Sequence, residues 1–219
     1  MALLAGDDLI GRYEEPGRGH AAQILGMVDA VLAEAGVTLS MLDGIAASVG
    51  PGAFTGVRIS VAVAQGLAFG AGLAVAAVTT LEALALQAFD GGADNALVCL
   101  DARMGEVYWG CFAVDDSRGV RATTAPQVGA AAAVRLHPAG TRPGHYRGIG
   151  RGFAAYPMLA DLPGLVVDPR ASAALPNSRE MARLGAIKLR AGEGVDPADL
   201  APLYLRDKVA LTEAERAAK

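Results

Sequence analysis

With 219 residues, a formal charge of −4 and 19% charged residues, the composition argues against the chain gripping a polyanion by itself, because neutralising phosphates needs a clustered excess of Lys and Arg. A hydrophobic content of 53% excludes an intrinsically disordered chain and leaves two architectures, one large domain or two compact lobes. Residues 1–8 pair a very short apolar run with acidic groups, unlike a secretory signal, and Arg58 and Gln65 interrupt the most apolar region, so we expect a soluble chain with no membrane span.

In chain order, residues 2–10 read as a short hairpin turning at Gly6-Asp7-Asp8. Over residues 21–35 the apolar Ile24, Leu25, Val28, Val31 and Leu32 recur at helical spacing, and Gly36 supplies a stop. A small-residue strand is expected at 44–49. It is broken by Gly50-Pro51-Gly52, and a helix follows over 55–69, ending at Gly70. Residues 73–78 form the next strand, and Thr79 with Glu82 three residues on marks a capping box that opens a helix to Ala88.

Asp90-Gly91-Gly92-Ala93-Asp94-Asn95 is a polar, glycine-rich joint, so we expect a first lobe at 1–90 and a second at 91–219. Strands at 96–100 and 106–114 flank a hairpin connection at 101–105, whereas 135–152, rich in Gly, Pro, Arg and His, reads as surface loop. Asn177 opens a helix that Gly192 ends, and 202–206 is an extended tail.

The glycines of Gly50-Pro51-Gly52-Ala53-Phe54-Thr55-Gly56 stand between a strand and a helix, where backbone amides can meet a phosphate. Both nucleotide motifs fail here. Val57 stands where a P-loop needs Lys, Thr55 where a dinucleotide loop needs its third glycine, and Pro51 removes an amide donor. The competing reading is a structural turn whose glycines take backbone angles closed to other residues.

The helix after the turn is apolar around most of its circumference, so more than one side of it must be covered. Either the helix at 21–35 covers it, or another chain does. No catalytic constellation is visible: His20, His137 and His145 show no metal-ligand spacing, and Ser40, Ser48 and Ser60 have no evident base. Asp101, Arg103 and Glu106 read as a solvated or ion-paired turn. Cys99 and Cys111 lie in apolar runs and are expected as buried free thiols in a reducing cytoplasm. No cofactor and no metal is called for.

At Gly50-Pro51-Gly52-Ala53-Phe54-Thr55-Gly56-Val57-Arg58-Ile59 the chain resembles the TsaB (YeaZ) family, whose hallmark is Gly-Pro-Gly-Ser-Phe-Thr-Gly followed by Leu or Val, Arg and Ile. The likeness continues through Ala64-Gln65-Gly66-Leu67-Ala68, Thr79-Thr80-Leu81, the run Asp101-Ala102-Arg103-Met104-Gly105-Glu106-Val107-Tyr108, and Pro202-Leu203-Tyr204-Leu205-Arg206. Ala53 and Ser60 depart from the usual Ser and Gly.

The resemblance implies an α/β, actin-like (ASKHA, ribonuclease-H-like) fold with two lobes. Family members open with a strand that precedes the one matched by residues 1–4, so it also implies that the first central strand is missing from this chain and that the native start lies upstream. In function it implies a non-catalytic subunit that pairs with the TsaD transferase to form threonylcarbamoyladenosine on tRNA. The TsaE ATPase would dock on the pair, and tRNA would be met only through the complex. The partner face would fall on the two long helices, at Leu25, Val28, Leu32, Ile59, Val61, Ala64, Leu67 and Ala68. Gly50, Pro51, Gly52, Thr55, Gly56 and Arg58 would form a structural turn. A homodimer through the same helices is the competing pairing, and a superfamily enzyme, kinase or peptidase, acting alone is the competing function.

Overall fold

The computed structural model describes residues 1–13, 20–115, 119–137 and 146–206. Its largest sheet is built on a hairpin of two long strands, β5 (Asn95–Arg103) and β6 (Glu106–Val114). Side-chain alternation divides these strands between two cores. Leu97 and Cys99 of β5 join Val107, Trp109 and Cys111 of β6 on one face, while Ala96, Val98 and Phe112 face the other way. Both faces are covered, which is why the strands read as near-continuous apolar runs.

The hairpin turns at Met104 and Gly105, both at positive φ (58° and 82°), the geometry of a two-residue type I′ connection. Arg103 (φ 63°) sits at a register shift next to it. The other strands are short: β7 (Val120–Ala122) and β8 (Gln127–Ala130) pair with β6, and β9 (Tyr146–Ile149) runs parallel to both β5 and β10 (Leu165–Val167).

Finding β9 corrects the expected surface loop at 135–152, of which residues 138–145 lie outside the described set. Tyr146 and Ile149 are buried, and Gly148 lies so close to Phe153 and Val167 that a Cβ there would stand 2.7 Å from each. Four residues, one of them glycine, are too few for a periodic signal, so pairing with neighbours decides the strand.

Elsewhere the expected elements form close to their expected bounds. β1 (Ala2–Ala5) and β2 (Asp8–Gly11) make an antiparallel hairpin, and β3 (Ile45–Ser48) pairs in parallel with β4 (Val75–Val78). The helix α1 (His20–Ala35) rests on the β1–β2 hairpin, and α2 (Phe54–Ala71) rests on β3, β4 and the turn Pro197–Asp199. One reading of the sequence had these two helices covering each other; each instead packs chiefly on strands of the chain. α2 passes Gly70 and ends at Gly72, which takes the left-handed cap conformation (φ 68°).

Two further helices exchange partners across the chain. α3 (Thr80–Asp90), from the first half, packs on β5, β6, β7 and β9, where the one-turn α4 (Gly152–Ala155) also meets β5 and β9, while α5 (Ser178–Arg190), from the second half, packs on β1, β3 and β4. Because α3 also packs on α5, they form the layer that joins the two parts. Leu81, Leu84 and Ala85 face the large sheet, and Leu86 meets Val78 and Leu184.

Polar contacts fix the register of this layer. Thr79 and Glu82 form the expected capping box: the Thr79 amide donates to Glu82 Oε2 (2.6 Å) and the Glu82 amide to Thr79 Oγ1 (3.1 Å). The other oxygen of Glu82 accepts from Lys188 Nζ of α5 (2.8 Å), which also donates to the Ala77 carbonyl (2.9 Å). Arg183 pairs with Asp90 at the far end of α3.

Gly185 lets α5 press on the small sheet. A Cβ there would lie 2.3 Å from Cβ of Ala46, so helix or strand would have to move. Gly185→Ala should therefore cost roughly 1–3 kcal/mol, read as a lower urea midpoint with an unchanged slope. Gly26→Ala, in α1 with nothing within 4 Å of the added Cβ, should be neutral or stabilise by up to about 1 kcal/mol. Equal midpoints for the two variants would refute this account of the α5 contact.

Candidate functional site

The glycine-rich turn closes on itself. Gly50 (φ 96°) is joined to Pro51 by a cis peptide, and its carbonyl accepts from the Thr80 amide (2.8 Å). The Val49 carbonyl accepts from the Leu203 amide of the tail (2.8 Å), and Ser48 Oγ lies 3.2 Å from Thr80 Oγ1. A side chain at Gly50 would press on Val57, with 3.2 Å from the added Cβ to Val57 Cγ2. The carbonyls of Val49 and Gly50 thus tie the turn to the tail and to the start of α3.

Gly52, Ala53, Thr55 and Gly56 form the exposed rim of the turn. The rim borders a cleft of ≈ 670 Å³ between the two parts of the chain, closed opposite by Leu100, Asp101, Tyr108 and Arg151. Asp101 is engaged within its own hairpin: Oδ1 accepts from the Arg103 amide (2.8 Å), and Oδ2 lies 3.1 Å from the Arg103 guanidinium. Glu106 pairs with Arg206 of the tail, whose guanidinium also donates to the Ala102 carbonyl (3.1 Å). The acidic groups around this hairpin are ion-paired, as the ion-paired reading of the turn expected.

Ser48 and Ser60 line the cleft, yet no described histidine does. The carbonyl of His137 accepts from Tyr146 Oη (3.3 Å), and His145 lies outside the described residues. Among the described residues, no group of three or more His, Cys, Asp or Glu side chains is placed to hold a metal ion.

Of the helix residues expected to face a partner, four face inward instead. Val61, Ala64 and Ala68 form one core with Ala47, Val49, Val75 and Leu200, and Val28 is buried in α1. This corrects their placement on a partner face: they cover the chain's own sheet, and an Asp at Val61 would test folding rather than pairing. Leu32, Ile59 and Leu67 are half-buried, whereas Leu25 is 53% exposed. Phe69, absent from the expected face, is 80% exposed.

At 18 residues and a mean hydropathy of 1.3, α2 is long and apolar enough to cross a membrane, but here its inner face packs on β3 and β4. Its outer side carries Phe54, Arg58, Ala62, Gly66 and Gly70, one residue in four, all exposed. That row was legible as helical spacing. Its exposure was not.

Residues 14–140 match the family model for TsaD, tRNA N6-adenosine threonylcarbamoyltransferase. The chain is 34% identical over 216 residues to the tRNA threonylcarbamoyladenosine biosynthesis protein TsaB of Escherichia coli strain K12, covering 96% of this chain and 90% of that one. To the protein of the same name from Haemophilus influenzae it is 34% identical over 204 residues, covering 88% and 82%. A crystal structure from Pseudomonas aeruginosa, described as similar to the peptidase YeaZ, superposes with a TM-score of 0.85 at 37% identity, covering 94% and 93%.

The chain belongs to the TsaB family. Its architecture is the actin-like α/β fold of YeaZ. In this TsaB-family chain the signature turn is a brace: it ties strand, cap and tail together, and it presents Phe54 and Arg58 of the signature on the outer side of α2.

Both cysteines are free and buried, as expected. Burial pushes both thiols up, and for Cys99 the neighbouring Cys111 adds to it. Neither should react with a thiol-specific disulfide reagent near pH 8 in the native chain, and both should react in denaturant. Rapid native labelling of either would contradict this burial.

Proposed function

We propose that this chain is the non-catalytic partner of a TsaD-type transferase in the biosynthesis of threonylcarbamoyladenosine on tRNA, acting in the cytoplasm. The observation that carries the reading is the apolar surface of the two long helices, where Leu25 and Phe69 lie open to solvent on helices otherwise packed on the chain's own strands. Large exposed apolar side chains on a rigid helix are the material of a protein interface. Half-buried Leu32, Ile59 and Leu67 flank the inner faces of the same helices. We assign this surface to a first lobe, residues 1–90, with 91–219 as the second, α3 and α5 being exchanged between them.

Two features support an accessory role over a kinase or peptidase acting alone. Asp101 is tied to Arg103, and the cleft serines have no histidine beside them in the lining. The negative charge of the chain leaves tRNA to the complex rather than to this subunit. On this reading the TsaE ATPase docks on the assembled pair, and a homodimer through the same helices forms when the transferase is absent.

Size-exclusion chromatography with light scattering, on the chain with and without the transferase of its own organism, tests the reading. A one-to-one complex is expected. Leu25→Asp and Phe69→Asp should each weaken it about 30-fold or more without lowering the melting temperature, since both side chains are exposed. Full pairing by folded Asp variants would remove the helices from the interface. Failure of the unsubstituted chain to pair, or tRNA modified equally well without it, would overturn the proposal.

A further inference from the structure

Arg58 is held by aromatic side chains rather than by a described carboxylate. Its guanidinium carbon stands 3.9 Å from the centre of the Phe54 ring, one helical turn earlier, and 5.9 Å from that of Tyr204 in the tail. The rings lie 5.9 Å apart and 30° from parallel, and Nε donates to Tyr204 Oη (2.9 Å). Two aromatic faces and one hydrogen bond thus fix the plane of a cation whose other four N–H groups meet no protein acceptor among the described residues.

Among the described residues no carboxylate pairs with it, as none does with Arg121, Arg147, Arg170, Arg179 or Arg190, whereas Arg12, Arg103, Arg183, Lys188 and Arg206 pair with Glu34, Asp101, Asp90, Glu82 and Glu106. What distinguishes Arg58 from these unpaired arginines is the clamp of two rings and a hydrogen bond that fixes its plane. Arg58 stands in the second turn of α2, and the first turn holds no acidic residue. An arginine whose plane is fixed while its remaining N–H groups lack an acceptor is arranged for an anion that arrives from outside.

Its position says which anion. Arg58 heads the exposed row that continues through Ala62, Gly66 and Gly70, and a Cβ added at either glycine would meet nothing within 4 Å. A partner helix laid along this shallow row would bring its own side chains up to Arg58. A nucleic-acid backbone would instead need several cations, and Arg103 and Arg206 are already paired within the chain.

We propose that Arg58, clamped by Phe54 and Tyr204, is the docking point for an aspartate or glutamate side chain of the partner protein at the head of the α2 row. This rests on the pairing proposed above, and adds to it the chemistry of the contact. The signature Phe and Arg, and the Tyr of the closing run, then serve one recognition device.

Titration calorimetry against the transferase at two salt concentrations tests it, with melting temperatures as the folding control. Arg58→Gln should weaken pairing about 30-fold or more and flatten the salt dependence. Arg58→Lys, which keeps the charge but loses the planar fork, should retain the salt dependence at reduced affinity. Tyr204→Phe should weaken pairing less, since ring and cation both remain. Unsubstituted affinity and salt dependence in Arg58→Gln would overturn this contact while leaving the pairing intact. Weaker pairing with an unchanged salt dependence would overturn the carboxylate, and no pairing by the unsubstituted chain would overturn both proposals.

Discussion

The contact between α3 and α5 is the constraint on which the other features depend. Each helix comes from one half of the chain and covers one face of the sheet of the other half, so neither sheet has both faces covered until both halves are present. The fit is tight where backbone meets backbone, at Gly185 against Ala46, and directional where Lys188 reaches the Glu82 that caps α3. A partly buried pair of this kind contributes register more than energy, because desolvation offsets much of the attraction.

That register sets the cleft. Glu82 holds the Thr79 cap, Thr80 next to it donates to the Gly50 carbonyl, and the glycine turn in turn aims α2. The tail adds a second tie across the same gap. Leu203 bonds to β3's end at Val49, Tyr204 packs by Arg58 on α2, and Arg206 reaches the β5–β6 hairpin at Glu106. The four residues Leu203 to Arg206 therefore span from the inner strand pair to the large sheet. A cleft braced at its base by helices and at its rim by the tail holds the outer surfaces of the chain in fixed positions.

Much of this was legible in the residues. The capping box at Thr79 and Glu82, the Asn177 cap of α5 and the hairpin at 101–105 are local devices whose chemistry lies within a few positions, and each formed where expected. The outer face of the long helices, proposed above as the partner surface, was legible only in part. Helical spacing showed that α2 is apolar nearly all round, but which of its sides faces β3 and β4 is a matter of contacts made far along the chain. Val61, Ala64 and Ala68 were therefore assigned outward, and Phe69 was missed, although both sets carry the same apolar signal.

The sequence by itself determined the family, the order of the long elements, the place of the glycine turn between strand and helix and the burial of both cysteines, because each is carried by short-range pattern or by composition. The tertiary structure alone decided the exchange of α3 and α5, the existence of β9, and the meeting of Phe54, Arg58 and Tyr204. The last joins residues 146 positions apart. Periodicity reports which residues share a face, and only packing reports what that face meets.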